Sequence, residues 1–466
     1  MEKVRKEIRK ILFEHYFKES ADNTHTIPLS IAVKESDRND IWKIRQELTS
    51  RGFKMYIIGG AVRDAVKNAI KLQKNPQDTA IDVPKDFDLA TDAPPDAIKV
   101  MFKNAPFVSN MLTIGDAFAI QFIATKSGNK YELATFRSDV GGGRKPDSVQ
   151  FEKDPKKDAE RRDLTINALF YRIDKLTTSG FNGEVIDYVG GIADIKNNVT
   201  NTVGDPMDRF NEDPLRKIRT IRFAARMGSE IPKNVADAII NGETSLVDPT
   251  GKKVSGERVK DEFYKGIKGS KSVVHYLNLL DEFGFFKHIF GGLNVDHGSF
   301  IEERNSLVLV ANLIKKNDKS KIESVLNSLK YSGEEIKFIV FLISLIGLDE
   351  SNVRVIKNTY KNQIKNSKPA TINEKEYKLT EKEIYNFADL NSIDKIKIKN
   401  MIRLANEFPA NISTYLFPLG FKPGFEMGAP IERLEIEFYK NPDKVKRILD
   451  SGDAEELKKI IFINKS

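Results

Sequence analysis

The chain is predicted to be an α+β protein, with a mixed-sheet head followed by an all-helical remainder. Three observations predict this. Hydrophobic periodicity changes near residue 52 from helical spacing to short strand-like runs, and changes back near residue 204. Between those points the strand-like runs alternate with helical stretches, which is how an α/β or α+β domain reads. At 466 residues with 40% hydrophobic side chains, the chain exceeds one ordinary core and can fill several.

Residues 1–52 read as helices forming an N-terminal extension, the second of them carrying Ile41, Trp42, Ile44 and Leu48 on its apolar positions. The head, residues 53–203, contains FKMYIIGG (53–60), DFDLAT (86–91), AFAIQFIA (117–124), KYELATFR (130–137) and EVIDYVGG (184–191). Residues 204–267 are expected to form a helical neck and 268–466 a helical body and tail. No internal repeat or long low-complexity linker interrupts them.

Composition excludes several function classes. No apolar run approaches the roughly 18–20 residues that span a bilayer, so no membrane partner is expected. The absence of cysteine removes disulfides, thiolate metal sites and cysteine nucleophiles, and fits a reducing compartment. The basic start, MEKVRKEIRKILFEHYFKES, contains Glu2, Glu7, Glu14 and Glu19, which argue against a transit peptide; a cytoplasmic location is expected. The net charge of +8 lies mainly in the second half. There Arg354, Lys357, Lys361, Lys365 and Lys368 recur at helical spacing with no acid among residues 351–373. Such a face is either solvated or meets a polyanion, and an RNA backbone relieves its self-repulsion.

Three stretches of the head carry chemistry. In YIIGGAVRDAV a strand runs into Gly59-Gly60 and then a helix, so backbone amides and Arg63 can approach a phosphate closely. In DFDLAT, Asp86 and Asp88 at i and i+2 of a strand point from one face, a carboxylate pair suited to Mg2+ with phosphates completing the shell. In RRDLTINAL (161–169) a helical turn after Arg161 and Arg162 places Asp163 and Asn167 on one face, where they either contact a ligand or bond each other. Behind the head, NEDPLRKIRTIRFAARMG (211–228) sets Arg216, Arg219, Arg222 and Arg226 close behind Glu212 and Asp213. Together these supply what a phosphoryl-transfer site needs around a nucleotide.

With VSGERVKDEF added, this set resembles the class II CCA-adding tRNA nucleotidyltransferases and bacterial poly(A) polymerases over about residues 53–267. The resemblance implies a polymerase-β-like nucleotidyltransferase head followed by helical neck, body and tail. It implies that Asp86 and Asp88 are catalytic and bind Mg2+ with a third acid, for which Glu132 is the candidate. Gly60, Arg63 and Arg162 would hold the triphosphate of CTP or ATP, Asp163 and Asn167 would face the ribose and stabilise the turn, Asp213 with Arg216 would read the base, and Arg219 and Arg222 would support that readout or reach the phosphates. The RNA partner would be the 3′ end of tRNA, held in part by Arg354, Lys357, Lys361, Lys365 and Lys368; no obligatory protein partner is evident. No histidine base is implied, and the five histidines lie outside every motif.

Within that family, NMLTIGDAFAIQF (110–122) lacks the basic stretch of poly(A) polymerases, and GFKPGFEMGAPIERL resembles a tail segment of CCA-adding enzymes. Both favour CCA addition over poly(A) synthesis. The interval 65–85 is longer than in typical members and the loop RSDVGGGRKPDSV is glycine-rich, so CC-only and A-only enzymes stay open, as does a tRNA-binding protein without activity.

Overall fold

The computed structural model describes residues 25–75, 83–84, 86–114, 120–140, 148–241, 245–372 and 375–462. The chain divides into two compact units at Val254/Ser255. That boundary falls inside the segment 204–267 expected as one neck, and leaves Gly256–Gly269 with the second unit.

The first unit begins with a correction. Residues 25–32, expected to be helical, form strand β1 (His25–Ala32). Ile27 and Ile31 alternate inward at 1% and 2% exposure, and Pro28, which cannot donate to a sheet ladder, is tolerated because β1 is an edge strand. Helix α1 (Glu35–Thr49) follows, burying Ile41, Ile44 and Leu48 as its periodicity predicts. Residues 1–24, the rest of the expected extension, lie outside the described residues.

Eight strands make one mixed sheet. After β1 come β2 (Met55–Ile58), β3 (Asp88–Thr91), β4 (Val108–Ile114), β5 (Ile120–Thr125) and β6 (Lys130–Thr135). A separate hairpin, β7 (Arg137–Val140) with β8 (Ser148–Phe151), precedes the last two sheet strands, β9 (Leu169–Leu176) and β10 (Gly180–Asp187). The order is β1-β10-β9-β2-β3-β6-β5-β4, with β3 and β6 parallel. Helices α2 (Gly60–Lys74) and α3 (Pro95–Lys103) follow β2 and β3.

Strand alternation gives the sheet two unequal faces. Ile57, Leu89, Leu133, Tyr171 and Val185 belong to the larger core, together with Ile41 of α1, Val62 of α2 and Ile98 of α3. Tyr56, Ile58, Ala90, Phe170 and Ile186 point the other way into a smaller cluster with Phe136 and Val203. Asp88, two residues before Ala90, lies on that second side. Short helices α4 (Pro155–Glu160), α5 (Gly191–Asn197) and α6 (Pro206–Glu212) lead into α7 (Leu215–Met227) and α8 (Lys233–Asn241).

The second unit is helical, and helix Ser306–Ile314 is buried on every side. Helix Gly333–Ser344 opens with a capping box in which Ser332 and Glu335 satisfy each other's backbone amides. This unit is not all-helical, as the periodicity suggested: Ala370–Ile372 and Lys375–Tyr377 form a small hairpin. Strands of three residues leave too few positions for alternation to register against a helical background.

Candidate functional site

The Gly-Gly turn comes first. Gly59 has φ +69° and ψ −130°, a conformation that side chains rarely adopt, and it turns β2 directly into α2. A Cβ added there would lie 3.4 Å from Asp88 Oδ2, so the turn brings open backbone beside a carboxylate. Among the described residues no side chain caps α2, which leaves the first amides of Gly60 and its neighbours to an anion.

Strand β3 begins at Asp88; Asp86 lies just ahead of it, so the two carboxylates are not both strand residues as expected. Asp88 pairs in register with Ile58 on one side and with Glu132 of parallel β6 on the other. Register partners share a face, so Glu132 projects from the same side as Asp88. Burial pushes the Asp88 carboxyl above its usual range; Asp86 adds to this, and the Arg162 guanidinium counteracts it. Among the described residues no three carboxylate or imidazole groups converge into a ready-made metal cluster. The donor set is hard oxygen and incomplete, which suits a divalent ion whose remaining ligands come from a substrate.

The RRDLTINAL segment is not the helical turn expected. It is extended at Leu164 and then makes a single 3-10 turn, Thr165–Asn167. Asp163 and Asn167 therefore take separate partners. Asn167 Oδ1 accepts from Arg63 Nη1 at 2.7 Å, and Asp163 Oδ2 accepts from Arg219 Nε at 2.8 Å and Nη2 at 2.7 Å. Burial opposes ionisation of Asp163, but the Arg219 and Arg216 guanidiniums hold it below the usual carboxylate range.

Arg63 is 1% exposed, set between Asn167, Asp64 (2.8 Å) and the Phe223 ring (5.4 Å). A guanidinium so enclosed braces α2 against the 3-10 turn and α7, which differs from the expected direct hold on a triphosphate. Arg162 is better placed. Its guanidinium stands 5.3 Å over Phe170, on the sheet face of Asp88, donates to the Asn167 carbonyl at 3.2 Å and pairs with Asp158 at 2.9 Å.

Asp213 and Arg216 do not share one helix. Asp213 ends α6 with φ −148° and ψ 101°, because Pro214 behind it disfavours helical geometry, and α7 starts at Leu215. Its Oδ1 accepts the Leu215 amide at 3.3 Å, and the side chain is 9% exposed. Arg216, in the first turn of α7, bonds Glu212 and the Arg161 carbonyl (3.4 Å). The arginine series is balanced from within: Arg216 by Glu212, Arg219 by Asp163, Arg226 by Asp64. Arg222 is 7% exposed and lies 4.1 Å over Phe223. Ile218, Ile221 and Ala225, turned away from Arg219 and Arg226, anchor the helix at 0% exposure.

Sequence reasoning passed over Asp158, Asp64 and Glu212 as partners. Asp158 carried a local signal, standing three and four residues before Arg161 and Arg162 across the end of one helical turn.

In the second unit the expected basic face is only partly open. Arg354 pairs with Glu435 (2.9 Å) and Glu432, and Lys357 is buried against Glu435 at 2.7 Å. The acids absent from residues 351–373 are supplied by helix Gly428–Lys440, which spacing within one segment cannot reveal. The helix that carries Arg354 and Lys357, Val353–Thr359, passes into a π turn at Tyr360–Lys365 and ends, so Lys368 lies beyond it. Lys361, Lys365 and Lys368 are exposed, Lys365 bonding Asn406. Removing the Lys357 amine by Lys357→Met strips Glu435 of one of two cations in a buried site. Urea unfolding is expected to show a loss of about 2 kcal/mol.

The head is a mixed sheet presenting carboxylates beside the Gly59 turn, with arginines behind. Residues 55–201 match the family model described as the Poly A polymerase head domain. The CCA-adding enzyme of Bacillus licheniformis is 36% identical over 53% of this chain and 54% of its own length, so the match spans about half of that relative. The CCA-adding enzyme of Ligilactobacillus salivarius is 28% identical over 84% of this chain and 90% of its own. The crystal structure of the Bacillus stearothermophilus CCA-adding enzyme in complex with CTP superposes with a TM-score of 0.60 at 19% identity, covering 91% of this chain and 99% of that one. Over the head the chain is thus similar to the Poly A polymerase head domain and to CCA-adding enzymes. Enzymes of this kind generally use a divalent metal. No helix among the described residues is long and apolar enough to cross a membrane.

Proposed function

We propose that the protein is a CCA-adding tRNA nucleotidyltransferase, acting in the cytoplasm, which builds or repairs the 3′-terminal CCA of tRNA from CTP and ATP without a nucleic-acid template. The observation that carries this reading is the sharing of one sheet face by Asp88, Glu132 and the Gly59 turn, with Arg162 above it. The similarity to CCA-adding enzymes of two species supports it.

In this reading the first amides of α2 and Arg162 hold the triphosphate. Asp86 and Asp88 would hold Mg2+ together with the triphosphate, Glu132 standing in register beside Asp88 as the candidate third acid, and the ion would lower the pKa of the attacking hydroxyl and neutralise charge as it develops. The RNA 3′-oxygen forms a bond to the α-phosphorus, the bond to the β-phosphate breaks in line, and pyrophosphate leaves. Arg63 keeps α2 and Asn167 in place during this step, and the Asp163–Arg219 pair ties the 3-10 turn to α7. Asp213 and Arg216 meet the base edge.

Incubation with tRNA lacking its 3′ end and all four NTPs tests the function. Discrete addition of C, C and A is expected. Long A tails on unrelated RNA, addition of only CC or only A, or no extension would each replace the reading. Lys361→Glu with Lys365→Glu is expected to raise KM for tRNA and reduce its log-log salt slope by about 2, with KM for CTP unchanged. Filter binding across a salt series checks this; an unchanged slope would place the RNA elsewhere.

A further inference from the structure

Asp158 takes no part in the steps above, yet it is the most committed carboxylate near the site. It lies in α4 at 1% exposure and receives Arg161 Nη2 at 2.6 Å and Arg162 Nη2 at 2.9 Å. Burial alone would raise its pKa; the two guanidiniums outweigh that and hold it ionised. Its two arginines diverge. Arg161 Nε donates to the Arg137 carbonyl at 3.1 Å, at the base of the β7–β8 hairpin, and the Arg137 amide meets Asp158 Oδ1 at 3.4 Å. Arg162 turns instead toward Phe170 and the charge of Asp88.

An arginine has five N–H donors in a rigid fork. Three of those on Arg162 are engaged: Nε and Nη2 by Asp158 Oδ2, at 3.3 and 2.9 Å, and Nη1 by the Asn167 carbonyl. Two have no partner among the described residues and remain for a ligand. A free arginine side chain samples many rotamers, and ordering it on binding lowers affinity. Here a buried acid fixes the fork beforehand.

We propose that Asp158 is a positioning residue for the nucleotide's triphosphate, acting through Arg162 by presetting its guanidinium on the carboxylate face. This rests on the proposed function only in taking the ligand to be a nucleoside triphosphate. Asp158→Asn is isosteric, loses the charge and keeps one acceptor.

The test measures CTP and inorganic pyrophosphate binding to the full chain by calorimetry, alongside kcat and KM. In Asp158→Asn, both dissociation constants and KM for CTP are expected to rise about tenfold, with kcat and KM for tRNA changing less than about threefold. In an Arg162→Lys background the same substitution is expected to add less than about twofold, since the group it acts through is gone. Arg161→Gln, which faces the hairpin, leaves CTP affinity in place. Unchanged CTP affinity in Asp158→Asn, or a full tenfold effect added on Arg162→Lys, overturns the proposal. Should Asp158→Asn fail to fold, the two arginine variants decide: Arg162→Lys must weaken CTP binding and Arg161→Gln must not. A parent that binds CTP with this dependence but extends no tRNA would sink the proposed function alone. A parent that extends tRNA with CTP affinity indifferent to Asp158 would sink this inference alone.

Discussion

Asp88→Asn is expected to lower nucleotide incorporation by on the order of a thousandfold or more, with tRNA binding nearly unchanged. The substitution keeps the shape of the side chain and removes one negative oxygen beside the Gly59 turn, where the proposed metal and triphosphate meet. Asp86→Asn should do the same. Activity surviving in both variants would dissolve the site. The same carboxylate also predicts a stability effect of opposite sign. Its folded pKa is raised, by burial first and by Asp86 second, so ionising it works against the folded state. That penalty is absent below the unfolded carboxylate pKa and develops as pH rises through the folded one. At neutral pH Asp88→Asn should therefore melt no lower than the parent and slightly higher, the gap closing on acidification. An inactive variant that is not destabilised separates loss of chemistry from loss of fold.

The second large effect concerns choice of base. Cytosine and adenine each present an exocyclic amine beside a ring nitrogen that only accepts; uracil and guanine present a carbonyl beside an N–H. A carboxylate accepts from the amine and a guanidinium donates to the ring nitrogen. With uracil or guanine both contacts become mispaired, at a cost of about 1–3 kcal/mol each, enough for several hundredfold discrimination. Asp213 suits this task because its position is fixed twice, by the extended backbone ahead of Pro214 and by the Leu215 amide on its Oδ1. Arg216 is preset by Glu212. Asp213→Asn keeps an acceptor for the Leu215 amide while offering an amide to the base. It should narrow the preference for CTP and ATP over UTP and GTP by about tenfold or more, whereas Asp88→Asn slows all four alike. Arg216→Ala should narrow it as well. If both variants select as sharply as the parent in single-nucleotide incorporation assays, this junction does not read the base.

What was legible in the sequence was whatever local pattern controls. The Gly-Gly turn, the strand holding Asp88 and the apolar side of α7 follow from neighbours within a few residues, and the structure has them where spacing puts them. Register was harder. Only the parallel pairing of β3 with β6, set by strands some forty residues apart, brings Glu132 beside Asp88. β1, though eight residues long, is not legible locally because only Ile27 and Ile31 of its residues are fully buried and its pairing partner, β10, lies far along the chain. The arginines show the same limit. Their charge density was visible, but Asp163, Asp64 and Glu435 reach Arg219, Arg226 and Lys357 only through tertiary folding. Pro214, by contrast, is a local signal of the break between Asp213 and Arg216, since the residue before a proline disfavours helical geometry.

One nucleotide is expected to span the distance from the Asp88 face to the Asp213–Arg216 junction. The bridge between them is continuous in the first unit, running from Arg162 beside Asp88, through Asp163 paired with Arg219, to Arg216 on the Arg161 carbonyl. A crystal structure of the protein with CTP and Mg2+ tests this most directly. The α-phosphate is expected beside Asp86 and Asp88, the β- and γ-phosphates on the α2 amides and Arg162, and the cytosine amine on Asp213. A triphosphate bound away from the Gly59 turn, or a cytosine edge that meets neither Asp213 nor Arg216, would contradict it.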